Sequence, residues 1–101
     1  MLRFRKLANP VKRYTDYSIE EMGDNKYAIK IIYFIDTGNT IADADKKYTQ
    51  DIICNSEEKF KAEELRIEKN IVKTRKRLEK AFIEIGASPK NTALMVREKM
   101  R

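Results

Sequence analysis

The chain has 101 residues, 42% hydrophobic and 38% charged, with 22 Lys plus Arg against 16 Asp plus Glu and a formal charge of +6. That length fits one domain, and the apolar residues recur in periodic segments, which excludes global disorder. Histidine is absent and Cys54 is the only cysteine, which excludes Ser-His and Cys-His catalytic pairs, histidine- or cysteine-rich zinc sites and an internal disulfide.

No apolar run approaches the ~18 residues of a membrane span; the longest, Ile31 to Ile35, is strand length. Met1 to Lys6 starts basic, but neither an apolar stretch nor a small-residue cleavage site follows. The expectation is an intracellular protein without membrane association. Its basic balance favours anionic partners.

Residues 1–13 form a basic arm, with Arg3, Arg5, Lys6, Lys12 and Arg13 and no acid. Leu2, Arg3, Phe4, Arg5, Lys6 and Leu7 mix apolar and basic side chains, a pattern that can follow a nucleic-acid groove or simply fray at a terminus.

Residues 14–55 read as an antiparallel sheet. Tyr14 to Met22 carries the β-favouring Tyr14, Thr15, Tyr17 and Ile19, and Gly23, Asp24 and Asn25 supply a turn. Lys26 to Asp36 alternates with Tyr27, Ile29, Ile31, Tyr33 and Ile35 on one face, while its other face is also partly apolar. That suits a central strand. Lys47 to Cys54 reads as a third strand, and Ile41 to Lys46 as loop or strand.

From residue 56 to 101 the period changes to that of a helix. Asn55 is the expected N-cap, with Glu58 three residues on. Phe60, Ile67, Ile71, Leu78, Phe82 and Ile85 trace an apolar face, widened by Leu65 and Val72, until Gly86 stops the helix. Pro89 to Met100 reads as a shorter terminal helix with Pro at a favoured first-turn position. The expected fold is therefore α+β: a three-stranded antiparallel sheet, a long amphipathic helix and a short C-terminal helix. This order resembles the small sheet-plus-helix DNA-binding domains of some integrases. No residue motif accompanies the likeness, so it carries no residue roles.

The sharpest functional feature is a cationic stripe. Arg66, Lys69, Lys73, Lys76 and Lys80 recur at spacings of 3, 4, 3 and 4, with Arg75 and Arg77 beside them and Glu79 the one acid between Lys69 and Lys80. Cations at that pitch share a helix face and can neutralise successive phosphates. The bland alternative is a solvated face whose bases suit the C-terminal half of the helix dipole. Limited sequence readout is expected, because phosphate contacts carry no base information.

The five tyrosines, Tyr14, Tyr17, Tyr27, Tyr33 and Tyr48, could stack bases but read better as cross-strand pairs. Asp36, Asp43, Asp45 and Asp51 lack the calcium-loop pattern and read as solvated loop acids. Cys54 reads as a small buried thiol. No catalytic residue, metal or cofactor is expected.

The leading expectation is a small non-enzymatic nucleic-acid-binding protein, for DNA or RNA, using Arg3, Arg5, Lys6, Arg66, Lys69, Lys73, Arg75, Lys76, Arg77 and Lys80. The alternative is a protein-interaction or structural assembly subunit docking on an acidic partner surface, of the kind a phage encodes to inhibit a host enzyme. A homo-oligomer or a subunit of a larger assembly is expected, with a short helix-pair interface through positions 60, 64, 67, 71, 74, 78, 81 and 85.

Overall fold

The computed structural model describes residues 9–101. β1 (Val11–Gly23), β2 (Lys26–Asp36) and β3 (Tyr48–Cys54) form an antiparallel sheet in the order β1-β2-β3. A helical turn, α1 (Thr40–Asp43), lies between β2 and β3, and α2 (Glu57–Glu84) and α3 (Pro89–Lys99) follow the sheet. The α+β order expected from the sequence is the order observed.

Asp24 and Asn25 both take positive φ, at 51° and 60°, the left-handed pair that a two-residue hairpin turn needs to match strand twist. Pairing then runs from Gly23↔Lys26 to Val11↔Asp36, so β1 begins three residues before the expected Tyr14. Val11 to Arg13 therefore belong to the sheet rather than to a basic arm. β2 is long enough to pair them, and Pro10 precedes the first strand residue, where its missing N–H costs no ladder bond.

β2 does not bury one continuous face. Ile29 and Ile31 are buried, but burial then moves to Phe34 and Asp36, while Tyr33 and Ile35 stay half-buried. Opposite this segment β1 carries an extra residue, Thr15, between the pairs Tyr14↔Tyr33 and Asp16↔Ile32. Such a bulge bends and twists the ladder, and here it separates two apolar clusters. One joins Tyr14, Ile29, Ile31 and Cys54 to Ile67 and Ile71; the other joins Phe34 and Ala44 to Leu78, Phe82 and Val96.

α2 lies lengthwise along the hairpin and serves both clusters. The Phe60 ring stacks on Tyr27 at 4.2 Å near the turn end, and Tyr17 Oη donates to Glu64 and Glu68. The Asn70 side-chain oxygen accepts from Tyr14 N–H at 3.1 Å, and Arg77 meets Asp36 at the open end. Ile67, Ile71, Thr74, Leu78, Ala81 and Phe82 are the buried residues of the helix. The buried Thr74 hydroxyl donates to the Asn70 carbonyl at 3.0 Å, so it fits an otherwise apolar stripe. This stripe covers the chain's own sheet, so the helix-pair interface expected from positions 60 to 85 is already occupied.

Leu65, Val72 and Ile85 are exposed, contrary to the expected wide apolar face. Leu65 and Val72 sit roughly 140–160° around the helix from Ile67, too far for one stripe against a sheet.

The N-cap of α2 is Ser56, not Asn55: its Oγ accepts from Lys59 N–H at 3.1 Å. Ser56 places its oxygen three residues before that free amide, and Glu57 and Glu58 then fall in the first turn, where the helix dipole favours acids. At the other end Gly86 takes φ 91°, with Gly86 N–H on the Ile83 carbonyl and Ala87 N–H on the Phe82 carbonyl. These paired bonds close the helix, and Ser88 caps α3 by accepting from Asn91 N–H. Lys47 ties the α1 loop to α3, donating to the Ala44 and Lys99 carbonyls.

Asp36 is fully buried and accepts from Arg13 Nε at 2.9 Å, Arg77 Nε at 3.2 Å and Gly38 N–H at 2.9 Å. It is not the solvated acid expected from sequence. Burial pushes its carboxyl upward, but the Gly38 amide and the two guanidiniums outweigh that and hold it below the ordinary carboxylate range. The stability this contributes is present above the unfolded carboxyl's value and is lost as pH falls through the folded one. Asp36→Asn should cost about 2–4 kcal/mol at neutral pH, because both guanidiniums lose their counter-charge yet keep some solvent. Urea titrations should show the gap between the two proteins closing below about pH 4. Gly86→Ala should cost about 1–2 kcal/mol from its positive φ alone, since a Cβ there meets nothing within 4 Å; thermal denaturation measures it.

Candidate nucleic-acid interface

The packing of α2 decides which of its cations reach solvent. With Ile67, Ile71, Thr74 and Leu78 on the sheet side, the helical rotation puts Lys69, Lys73, Lys76 and Lys80 on the opposite side. All four are exposed, as is Arg75. No ion pair among the described residues engages any of these five. Lys69 to Lys80 covers about 16 Å of helix axis at ~1.5 Å per residue. One strand of a DNA duplex presents about five phosphates over that length.

The two arginines at the margins of the stripe are held elsewhere. Arg66 donates to Glu63 at 2.7 and 3.0 Å and to Tyr14 Oη at 3.3 Å, with its guanidinium 5.8 Å from the Tyr14 ring centroid. The Tyr14 and Glu63 bonds, in that order, stabilise its charged form. Arg77 lies one position before the buried Leu78 and turns toward Asp36. The structure thus brings together Lys69, Lys73, Lys76 and Lys80, leaves Arg75 exposed but roughly 100° or more around the helix from each of them, and uses Arg66 and Arg77 to attach the helix to the sheet. Arg3, Arg5 and Lys6 lie outside the described residues.

The first half of α2 treats its charges differently. Glu57 pairs with Lys61 at 3.2 Å and Glu63 with Arg66 at 2.7 Å, so acids and bases neutralise one another along the helix. In the second half Lys73, Lys76 and Lys80 stand three and four residues from other cations, and among the described residues neither Glu79 nor Glu84 forms an ion pair with them or with Arg75; each like-charge pair there costs a few tenths of a kcal/mol.

The sheet is a poorer candidate surface. Tyr33 stacks on Tyr48 at 5.7 Å and meets Tyr14 edge-on at 6.4 Å, Tyr27 is stacked on Phe60, and Tyr17 is bonded to α2. Burial and the Glu68 and Glu64 acceptors hold the Tyr17 phenol well above its usual range, so it remains a donor. The loop acids are also engaged: Asp43 accepts from Thr37 N–H and Oγ1, and Asp45 pairs with Lys99. Among the described residues no cluster of three or more acids and Cys has the placement of a metal site, and no helix is long and apolar enough to cross a membrane. Cys54 is buried and unpaired.

Sequence reasoning missed that Leu65, Val72 and Ile83 stand exposed beside the lysines. It missed the inward role of Arg77 as well. The available signal was position: residue 77 adjoins the buried stripe, whereas 69, 73, 76 and 80 oppose it.

The unpaired row should leave a thermodynamic trace. Lys73→Gln together with Lys76→Gln should raise the melting temperature at low salt by about 1–3 °C, and the gain should shrink as salt screens the row. Scanning calorimetry across a salt series measures both effects. Comparison with family models, curated proteins and solved structures finds no match, so the residues and their geometry carry the functional argument.

Proposed function

We propose that this chain is a small non-enzymatic nucleic-acid-binding protein whose affinity comes from backbone electrostatics. One observation carries the reading: Lys69, Lys73, Lys76 and Lys80 form an exposed row on α2, opposite its buried side and without ion-pair partners among the described residues. A helix that keeps such a row bears its self-repulsion in every unbound molecule. An anionic polymer relieves it, and the counterions released from the polymer add a salt-dependent driving force. Arg75, on the other margin of the buried stripe, adds to the basic charge of α2 without joining the row. Arg3, Arg5 and Lys6 extend the cationic set toward a neighbouring groove or strand. Arg66 and Arg77 act indirectly, holding α2 against the sheet so that the row stays straight.

A second reading rests on Leu65, Val72 and Ile83. Exposed apolar side chains beside cations suit an acidic protein surface, such as a groove on an enzyme that itself binds nucleic acid, better than they suit a sugar-phosphate chain.

Binding to single- and double-stranded nucleic acid across a salt series, by fluorescence anisotropy, distinguishes the two. The native chain should bind duplex at low salt, and Ala at Lys69, Lys73, Lys76 and Lys80 should reduce the log-log salt slope by roughly 3 to 4, at about 0.9 per phosphate contact. No binding at low salt, or a slope unchanged by the four substitutions, overturns the phosphate reading and leaves the acidic-protein one.

A further inference from the structure

The two ends of this molecule carry opposite charge, and each end exposes apolar side chains within that charge. The long axis is 56 Å, with transverse extents of 31 and 20 Å. At one end is the β1–β2 turn, beyond the start of α2 where Tyr27 stacks on Phe60. The tip holds Asp16, Glu20, Glu21 and Asp24 against one base, Lys26, which pairs with Gly23. Met22 stands in a second bulge, between the pairs Glu21↔Tyr27 and Gly23↔Lys26, and is 56% exposed beside an exposed Ile19. A bulge that directs a methionine into solvent at a hairpin tip is a poor solution for a surface meant only to be wet.

At the other end α2 closes at Gly86 and α3 turns back, and there Lys90, Arg97, Lys99 and Arg101 outnumber Glu84 and Glu98. Ile85, Leu94 and Met95 line a shallow groove there, with Ile85 61% and Leu94 55% exposed. Lys90, Leu94 and Arg97, spaced by four and three, share one outer face of α3. Lys90 and Arg97 have no ion-pair partner among the described residues, nor do Glu20, Glu21 and Asp24.

We infer that the acidic hairpin tip of one copy docks on the basic α2–α3 corner of the next. Met22 and Ile19 cover Leu94, Ile85 and Met95, while Glu20, Glu21 and Asp24 face Lys90 and Arg97. The two surfaces differ and lie at opposite ends, so the contact is head-to-tail: it grows into a chain, or closes into a ring if the rotation permits. Neither surface includes the lysine row of α2, so the inference stands apart from the nucleic-acid reading. An assembled row of copies would place successive lysine rows on one structure.

Sedimentation velocity on the full chain, without nucleic acid, tests the contact. The native protein should gain mass with concentration and lose association as salt rises. Two charge reversals should each weaken assembly by at least about tenfold: Glu20→Lys with Glu21→Lys at the tip, and Lys90→Glu with Arg97→Glu at the corner. Mixing the two variants should restore assembly, because the reversed tip matches the reversed corner. All the substituted side chains are exposed, so circular dichroism should match the native protein. Should the reversed proteins misfold, Leu94→Ser and Met22→Ser provide neutral substitutions at each end that must weaken the same association. A native chain that stays monomeric at high concentration, an oligomer indifferent to both reversals, or a mixture that fails to reassemble overturns the inference; the first result assigns the two ends to other partners.

Discussion

Asp36 is fully buried at the end of β2, and a carboxylate in that position is tolerated only when its charge and lone pairs are met. Arg13 of β1, Arg77 of α2 and the Gly38 amide meet them. Arg13 closes the open end of the hairpin. Arg77 sets how far along the hairpin α2 can lie, and the Gly38 bond turns the chain out of β2 toward α1. The guanidiniums keep partial solvent contact, so the arrangement supplies specificity of position as well as stability. Displacing α2 by one turn would take Arg77 from Asp36 and move Leu78 and Phe82 off Phe34.

That placement is what makes the lysine row a surface. The buried stripe from Ile67 to Phe82 fixes the rotation of α2, and the rotation alone determines that Lys69, Lys73, Lys76 and Lys80 point outward. Two further cations near the row, Arg66 and Arg77, have been drawn to Tyr14 and Asp36 and serve as attachments. The helix therefore divides along its length. Its first half pairs acids with bases and stacks Phe60 on Tyr27; its second half keeps Lys73, Lys76 and Lys80 in solvent and buries Ile71, Thr74, Leu78, Ala81 and Phe82 on the sheet side.

The charge polarity of the whole molecule follows from the same geometry. Because α2 runs beside the hairpin from its turn to its open end, the acids of the turn and of the first helical half gather at one end. The bases of the second half and of α3 gather at the other. Blocks that are separate along the chain become two poles about one long axis, and the bulge at Met22 and the groove beside Leu94 give each pole an apolar centre.

Much of the architecture was legible from local patterns. Alternation over Lys26 to Asp36, the Gly23 to Asn25 turn, the 3.6-residue period after residue 56 and the Gly86 and Ser88–Pro89 signals each reflect short-range physics: φ preferences, caps and side-chain direction. The lysine row was visible too, because its spacing is a property of any helix. The bulge at Thr15 was not, since an extra residue in one strand is defined only by what it pairs with in another. That bulge moved burial from Ile31 to Phe34 and made Asp36 an interior charge. Val11 to Arg13 joined the sheet only because β2 extends far enough to pair them. Leu65 and Val72 read as core until the width of the contact with the sheet was known. Whether a given cation is free or paired likewise depends on which acid lies within reach: local spacing could place Arg77 beside Leu78, and only the packed helix could place Asp36 beneath it.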